Sequence, residues 1–322
     1  MPKASADLCI HFAHSAYRLH DHFKARNLGI ASFQSWTPEE TAAQIGRGDI
    51  LVISGFWRNE FLSKAQRLRF IQVCAAGCDQ FDLESLRAAG IRLANASGCN
   101  KTAVSEHAMA LLLAFTRQIH IGRDNQQRHH WRDMISDNAR REDELAGKTM
   151  LIYGLGKIGQ RLARLAKAFD MTVLAIKRDC TTRLDDVDEL HPPGALVPLL
   201  SRSDVVVLTC PLTPETANLI NDATLAAMKP TAILVNVARG GCVDENALIE
   251  ALATGRIAGA CIDTVIGEPL AMESPLWAME NVVLTPHTAG ETRKYEDNVI
   301  DILLENLQRL ERAQSELVNQ IV

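Results

Sequence analysis

The order of apolar and polar positions divides the chain into two series of short strands alternating with helices. In the first hundred residues, positions 8–12, 50–53 and 70–74 are brief apolar stretches, and a helical pattern over 85–89 precedes a further stretch at 91–94. Uninterrupted apolar runs of this length suit strands buried on both faces. Their alternation with helical periodicity predicts a parallel sheet with helices on both sides. A second series begins at 149–153 and continues through 172–176, 205–209, 232–235, 258–262 and 282–284, with helical stretches such as 246–253 between strands. Between the two series, residues 102–117 predict a helix with Val104, His107, Ala108, Leu111, Leu112 and Phe115 on one side. Ala110, Leu113 and Ala114 widen its apolar face, so this helix is expected to be buried on several sides. The basic stretch 123–141, with His129, His130 and Trp131, reads as a solvated connector. Val299, Ile300, Leu303, Leu304, Leu307 and Leu310 outline one last amphipathic helix, expected to return to the first series.

The second series opens on Gly154-Leu155-Gly156-Lys157-Ile158-Gly159, a G-x-G-x-x-G spacing. The spacing alone is weak, because glycine is common, but here an apolar strand precedes it and helical periodicity follows at Ile158, Leu162, Leu165, Ala166 and Phe169. In that context Gly154 permits the tight turn, Gly156 lets a pyrophosphate approach the backbone, and Gly159 lets helix and strand pack closely. The helix's free N–H groups face the phosphates. The expected fold is therefore α/β with two doubly wound parallel-sheet domains. A Rossmann dinucleotide-binding domain, residues 103–289, is inserted in a flavodoxin-like substrate domain formed by 1–102 and completed by 290–322.

Bulk properties narrow the partners. The chain has 322 residues, enough for two cores, and its 47% hydrophobic and 23% charged content is that of an ordinary globular protein. A net charge of −5 gives no footprint for nucleic acid, and no apolar run is long enough to span a membrane. The first residues, Met1 to Asp7, lack the apolar stretch of a secretory leader. The eight cysteines form no CxxC pair, and several lie in apolar strands, as Cys74, Cys210 and Cys261 do. They read as buried free thiols in a reducing cytoplasm, and no metal site is expected. His11, His14, His20 and His22 lie close in sequence, but no carboxylate accompanies them at ligand spacing, so they read as exposed helix and loop residues.

In a doubly wound sheet, ligands bind beyond the carboxyl ends of the strands. Cys210-Pro211, Arg239, Asp263, Glu268 and His287 all follow strands of the second series at that edge. Arginine's planar fork can bind a carboxylate and polarise an adjacent carbonyl, and an imidazole can give that oxygen a proton while a neighbouring carboxylate favours its charged form. Arg239, Glu268 and His287 beside a dinucleotide thus suggest hydride transfer to a small 2-oxo acid.

Several ordered motifs carry a wider likeness. They are Ala76-Gly77-Cys78-Asp79, Val104-Ser105-Glu106-His107, the glycine run, Pro211-Leu212-Thr213-Pro214-Glu215-Thr216, Asn236-Val237-Ala238-Arg239-Gly240-Gly241, Asp263 with Glu268-Pro269-Leu270, and Thr285-Pro286-His287-Thr288-Ala289-Gly290. Over nearly its whole length the chain resembles the D-isomer-specific 2-hydroxyacid dehydrogenases. The resemblance implies Arg239 as binder of the substrate's carboxylate and carbonyl, His287 as acid/base and Glu268 as its partner. It implies Asp263 near the nicotinamide, and the amides of Ala76 and Gly77 on the substrate carboxylate. The matched motifs place Cys210, Pro211, Thr216, Val237, Ala238 and His287 among the cofactor contacts, with residues 154–159. It further implies a homodimer joined through the nucleotide domain and the 102–117 helix. The formate dehydrogenase branch has glutamine in place of Glu268. Corepressors on the same fold carry long polar tails that this sequence lacks, and an adenosyl-cofactor enzyme fits the residues after the second strand poorly.

The second strand of the nucleotide domain runs into Lys177-Arg178, where an NAD site usually has an acid for the ribose 2′-OH. Two cations there favour NADP(H) over NAD(H), although Asp179 lies one residue further on. Phe56, Trp57 and Arg58 follow the 50–53 strand. Trp57 either contributes to the substrate site or packs beneath its loop.

Overall fold

Five short parallel strands build the first sheet of the computed structural model, which describes residues 8–78, 80–181 and 184–322. The leader reading of residues 1–7 and Asp79 of the Ala76–Asp79 motif lie outside them. The chain divides into two units, Met1–Asn100 with Thr292–Val322, and Lys101–Glu291. In the first unit β1 (Cys9–Ala13), β2 (Ala31–Ser35), β3 (Ile50–Ile53), β4 (Phe70–Val73) and β5 (Arg92–Ala94) lie in the order β2-β1-β3-β4-β5. Three helices follow strands: α1 (Leu19–Lys24), α2 (Pro38–Gln44) and α3 (Leu83–Ala88). Ile10 and Phe12 face one core with Val299, Ile300 and Leu303 of the last helix, whereas Leu51 and Ile53 face the other with Trp57, Phe61 and Phe81. Alternate residues of a strand point to opposite faces, so each apolar run supplies two cores at once. The exposed edge of β5 is covered antiparallel by the chain's end, with Leu93 N–H donating to the Val322 carbonyl (3.1 Å) and Ile321 N–H to the Leu93 carbonyl (2.8 Å).

The second unit holds α4 (Lys101–Thr116), α5 (Ile119–Gln127), β6 (Thr149–Tyr153), α6 (Lys157–Ala168), β7 (Thr172–Ile176), β8 (Glu189–His191), α7 (Leu196–Leu200), β9 (Val205–Leu208), α8 (Asp222–Ala226), β10 (Ile233–Asn236), α9 (Glu245–Ala253), β11 (Gly259–Ile262) and β12 (Val282–Leu284). Among the described residues its seven parallel strands run β12-β11-β10-β9-β6-β7-β8. The chain starts at β6, builds outward through β7 and β8, then returns to β9 on the other side. The strand order therefore reverses beside β6, where such sheets open a crevice. Leu151 and Tyr153 face α7, α8 and α9, while Met150 and Ile152 face α4 and α6. The last helix, α10 (Tyr295–Glu311), packs in the first unit.

Two strands were missing from the sequence pattern, β2 (ASFQS) and β8 (ELH). Both are sheet edges, and β8 is only half-buried throughout. Of the four clustered histidines, His11 departs from expectation outright. His11 is fully buried inside β1, its ring stacked on Phe33 and its Nε2 2.8 Å from Ser35 Oγ. His14 accepts the Ala16 and Tyr17 amides through Nδ1, His20 is half-buried, and His22 bonds Asp297. These three are helix and loop residues as expected, though half-buried rather than fully exposed.

Candidate active site

The glycine turn lies beyond β6, at the reversal of strand order. Gly154 has a φ of +106°, and a side chain on it would meet the Cys210 amide nitrogen at 2.6 Å. A Cβ on Gly159 would lie 2.4 Å from the Gly154 carbonyl oxygen and 3.2 Å from Ile152, so α6 packs against β6 only because that position is bare. A Cβ on Gly156 would meet nothing within 4 Å. It is the N-cap of α6 and supplies no side-chain hydrogen bond, so an anion can approach the helix N-terminus from that open side. The residues present therefore fit a dinucleotide's pyrophosphate. Leu155 contributes differently from its neighbours: its side chain is 1% exposed in the core below the turn.

The residues after β9 and β10 shape the same edge. Cys210 is buried, its hydrogen-bonded neighbour Cys242 and burial push its thiol upward, and its backbone nitrogen and Cα lie against the glycine turn. The hydroxyl of Thr216, taken on sequence as a cofactor contact, is turned inward: it donates to the Pro211 carbonyl at 2.7 Å and accepts the Thr213 amide at 2.8 Å. It closes the loop that begins at Pro211. Val237 and Ala238 are buried at the end of β10, where Asn236 Oδ1 accepts the Ala238 amide (3.1 Å) and Asn236 Nδ2 donates to the Arg239 carbonyl (3.0 Å). That small turn presents the exposed Arg239 side chain, whose Nη1 donates to the Ala238 carbonyl at 2.7 Å.

Arg239, Glu268 and His287 follow three adjacent strands, β10, β11 and β12. A Cβ on Gly240 would lie 2.1 Å from the Val265 backbone, so the loop carrying Arg239 and the loop leading to Glu268 touch main chain to main chain. Glu268 Oε2 lies 2.7 Å from His287 Nδ1. A carboxylate can only accept, so Nδ1 carries the proton of that bond and Nε2 is left for a ligand. Both side chains keep substantial exposure, 44% for His287 and 39% for Glu268. A cavity of about 510 Å³ lies against His287, Glu268 and Asp263, with Leu270, Trp277 and Leu284 among its apolar walls.

Asp263 ends β11 and is 2% exposed. Its oxygens accept the Thr285 hydroxyl (2.6 Å) and the amides of Thr288 (3.0 Å) and Ala289 (3.1 Å). Burial pulls its pKa up, but hydrogen bonds from His107, Thr285 and these amides outweigh that and hold it below the ordinary carboxylate range. His107 of α4 completes the cluster, its Nε2 2.9 Å from Thr285 Oγ1. Sequence reasoning missed His107 and Thr285. The signal available was a polar ring on an otherwise apolar helix face.

Beyond β7, Lys177 is half-buried and Arg178 exposed. The Oδ1 of Asp179 is occupied by the Thr181 amide (2.9 Å) and hydroxyl (2.7 Å), which hold this carboxyl low. Facing them across the edge is Glu215, which the Thr213 hydroxyl and its own amide hold low and to which Arg178 adds a favourable charge. In the first unit, Ala76 and Gly77 follow β4, and the Ala76 carbonyl accepts Asn95 Nδ2 at 2.7 Å. Of the two readings open for Trp57, packing is the one observed. Its indole is 2% exposed, stacked on Phe81 and edge-on to Phe61, so it presents no surface to a substrate.

A doubly wound sheet with this turn, and an imidazole–carboxylate pair and an arginine along the same rim, defines an oxidoreductase of the nicotinamide dinucleotide class. Residues 109–289 match the D-isomer specific 2-hydroxyacid dehydrogenase, NAD binding domain. A glyoxylate reductase of Pyrococcus furiosus is 39% identical over 79% of this chain and 76% of its own length. A hydroxypyruvate reductase of Blautia hydrogenotrophica is 33% identical over 84% of each. The crystal structure of a D-isomer specific 2-hydroxyacid dehydrogenase family protein from Aeromonas salmonicida superposes with a TM-score of 0.86 at 30% identity, covering 98% of this chain and 99% of that one. The chain belongs to the D-isomer-specific 2-hydroxyacid dehydrogenases and is an NAD(P)-dependent oxidoreductase of 2-oxo and 2-hydroxy acids. Among the described residues, no helix is long and apolar enough to cross a membrane.

Proposed function

We propose that the chain reduces a small 2-oxo acid with NADPH, using His287 as proton donor, Glu268 as its partner and Arg239 as the carboxylate anchor. A reduced nicotinamide supplies the hydride. The guanidinium of Arg239 pairs with the substrate carboxylate and draws electron density from the adjacent carbonyl. As that carbon becomes tetrahedral, its oxygen takes the proton from His287 Nε2. Glu268 holds the ring by Nδ1 and offsets the imidazolium charge that exists before transfer. The observation that carries this reading is the 2.7 Å contact between His287 Nδ1 and Glu268 Oε2, with the loop leading to Glu268 abutting the one that presents Arg239. The same pair disfavours a formate dehydrogenase, since releasing carbon dioxide needs no acid at this position.

The preference for NADPH rests on Lys177 and Arg178 at the end of β7, where a 2′-phosphate would find two cations. Asp179, the nearest rival ligand for a ribose hydroxyl, already uses Oδ1 on Thr181. The protein acts in the cytoplasm as a homodimer through the second unit. Steady-state oxidation of NADPH and of NADH against glyoxylate, hydroxypyruvate and bulkier 2-oxo acids tests the whole reading. Turnover with at least one acid is expected, faster at low cofactor concentration with NADPH. Absence of turnover across the panel, with a protein partner captured instead, would favour a dinucleotide-sensing regulator on the same fold.

A further inference from the structure

The loop that carries His287 is held from behind by a polar chain anchored on the buried Asp263 and reaching a different element, α4. Asp263 takes the Thr285 hydroxyl at 2.6 Å and the Thr288 and Ala289 amides at 3.0 and 3.1 Å, so three donors on the loop converge on one carboxylate. His287 lies inside that bracket with a φ of +55°, its amide donating to the Thr285 carbonyl at 3.0 Å. A hydroxyl has one proton to give. Thr285 gives it to Asp263, so toward His107 it can only accept, and His107 Nε2, 2.9 Å away, must be the donor. The same Nε2 lies 3.4 Å from Asp263 Oδ1, which places any charge on this ring beside the carboxylate.

We propose that His107 is a positioning residue: its Nε2–H orients the Thr285 hydroxyl onto Asp263, and this chain keeps the 285–289 turn in the one conformation that points the His287 ring at Glu268. The inference rests on His287 being the proton donor. Without the Nε2 donor, the Thr285 hydroxyl loses its only opposing partner on α4 and can rotate away from Asp263, releasing one of the three ties on the turn. Small displacements of a proton donor from its acceptor reduce turnover steeply while leaving the grip on a cofactor elsewhere in the site largely intact. The expected signature is a fall in kcat rather than a rise in KM.

Two variants separate this from a packing role. His107→Leu fills the site with apolar atoms and removes the donor. His107→Gln is a poorer fit for the space but places an amide N–H close to where Nε2 stands. In the full-length protein, His107→Leu is expected to lower kcat on the order of 10–100-fold with the KM for the nicotinamide cofactor within about twofold, and His107→Gln to recover most of the loss. A folded His107→Leu enzyme with wild-type kcat, or a glutamine variant as slow as the leucine one, overturns the proposal. A readout independent of turnover is the imidazole nitrogen–proton spectrum of the unliganded protein. It is expected to show His107 protonated at Nε2, and the His287 ring signals to move in His107→Leu and return toward wild type in His107→Gln. A proton on Nδ1 alone at His107, or His287 signals indifferent to both substitutions, sinks the inference even if no 2-oxo acid is turned over. Conversely, the expected spectra in a protein that reduces none of the acids would retain the positioning chain and remove the assignment of the reaction.

Discussion

At His287 the backbone takes a left-handed φ of +55°, a region that non-glycine residues enter at a cost and that persists only where surrounding bonds hold it. Here the bonds come from Asp263, and the ring's Nδ1 meets Glu268, the arrangement the proposed proton donor needs. Replacing His287 by alanine is expected to lower kcat on the order of 10²–10⁴-fold with dinucleotide affinity nearly unchanged, as steady-state rates and a cofactor titration would show. A variant that turns over normally would place the proton donor elsewhere. Arg178→Ser should reduce kcat/KM for NADPH about tenfold or more and leave NADH within a few-fold, because a phosphate-paired guanidinium discriminates only against the cofactor that carries the phosphate. An unchanged ratio of the two would remove Arg178 from the cofactor site. The identities of these residues were legible in the sequence. The inward turn of Thr216 and the burial of Trp57 were not, because a hydroxyl or an indole has the same letter whether it faces a ligand or a core.

Strands and helices divide by how strongly their surroundings mark them. Central strands such as β3, β4, β9 and β10 are buried at every position and stand out as apolar runs. The edge strands β2 and β8 pair on one side only and carry Ser, Gln, Glu and His, so no pattern announced them. β1 is a third case, a buried strand with a histidine in its middle. Burial, with a smaller effect from Arg47, lowers the pKa of His11 to about 4. The unfolded chain binds a proton at this residue below about pH 6.5 while the folded strand does not. The native state is therefore increasingly disfavoured as pH falls from there toward 4, and is unaffected by His11 above that window. The full effect is on the order of 3 kcal/mol. Thermal melts of the wild type and His11→Gln between pH 4 and 7.5 should show the gap between them shifting in the variant's favour as pH falls. Parallel melting curves across that range would mean that His11 stays protonated or is not buried in solution.

For the whole molecule, the largest exposed apolar side chains are informative. Trp131 is 96% and Met134 98% exposed on the stretch after α5, and Ile119 at the start of that helix is 58% exposed. Side chains of this size on one segment are a surface on which the proposed dimer contact can be tested. The stretch is as solvated as the sequence reading expected, and with α4 already packed on α6 it is a second candidate, within the same unit, for the proposed dimer contact. Sedimentation is expected to give twice the monomer mass for the wild type and a monomer, folded by circular dichroism, for the Trp131→Ser, Met134→Ser double variant. A wild type that sediments as a monomer at micromolar concentration would refute the dimer. By itself the sequence determined that there are two parallel α/β sheets, where the dinucleotide turn lies, and which arginine, glutamate and histidine follow which strands, because strand burial and glycine spacing are local properties of the chain. Only the tertiary structure decided that β10, β11 and β12 are neighbours, that the Gly240 and Val265 backbones touch, and that His107 reaches Thr285. Those contacts join residues far apart in the chain and depend on the strand order and packing of the whole sheet.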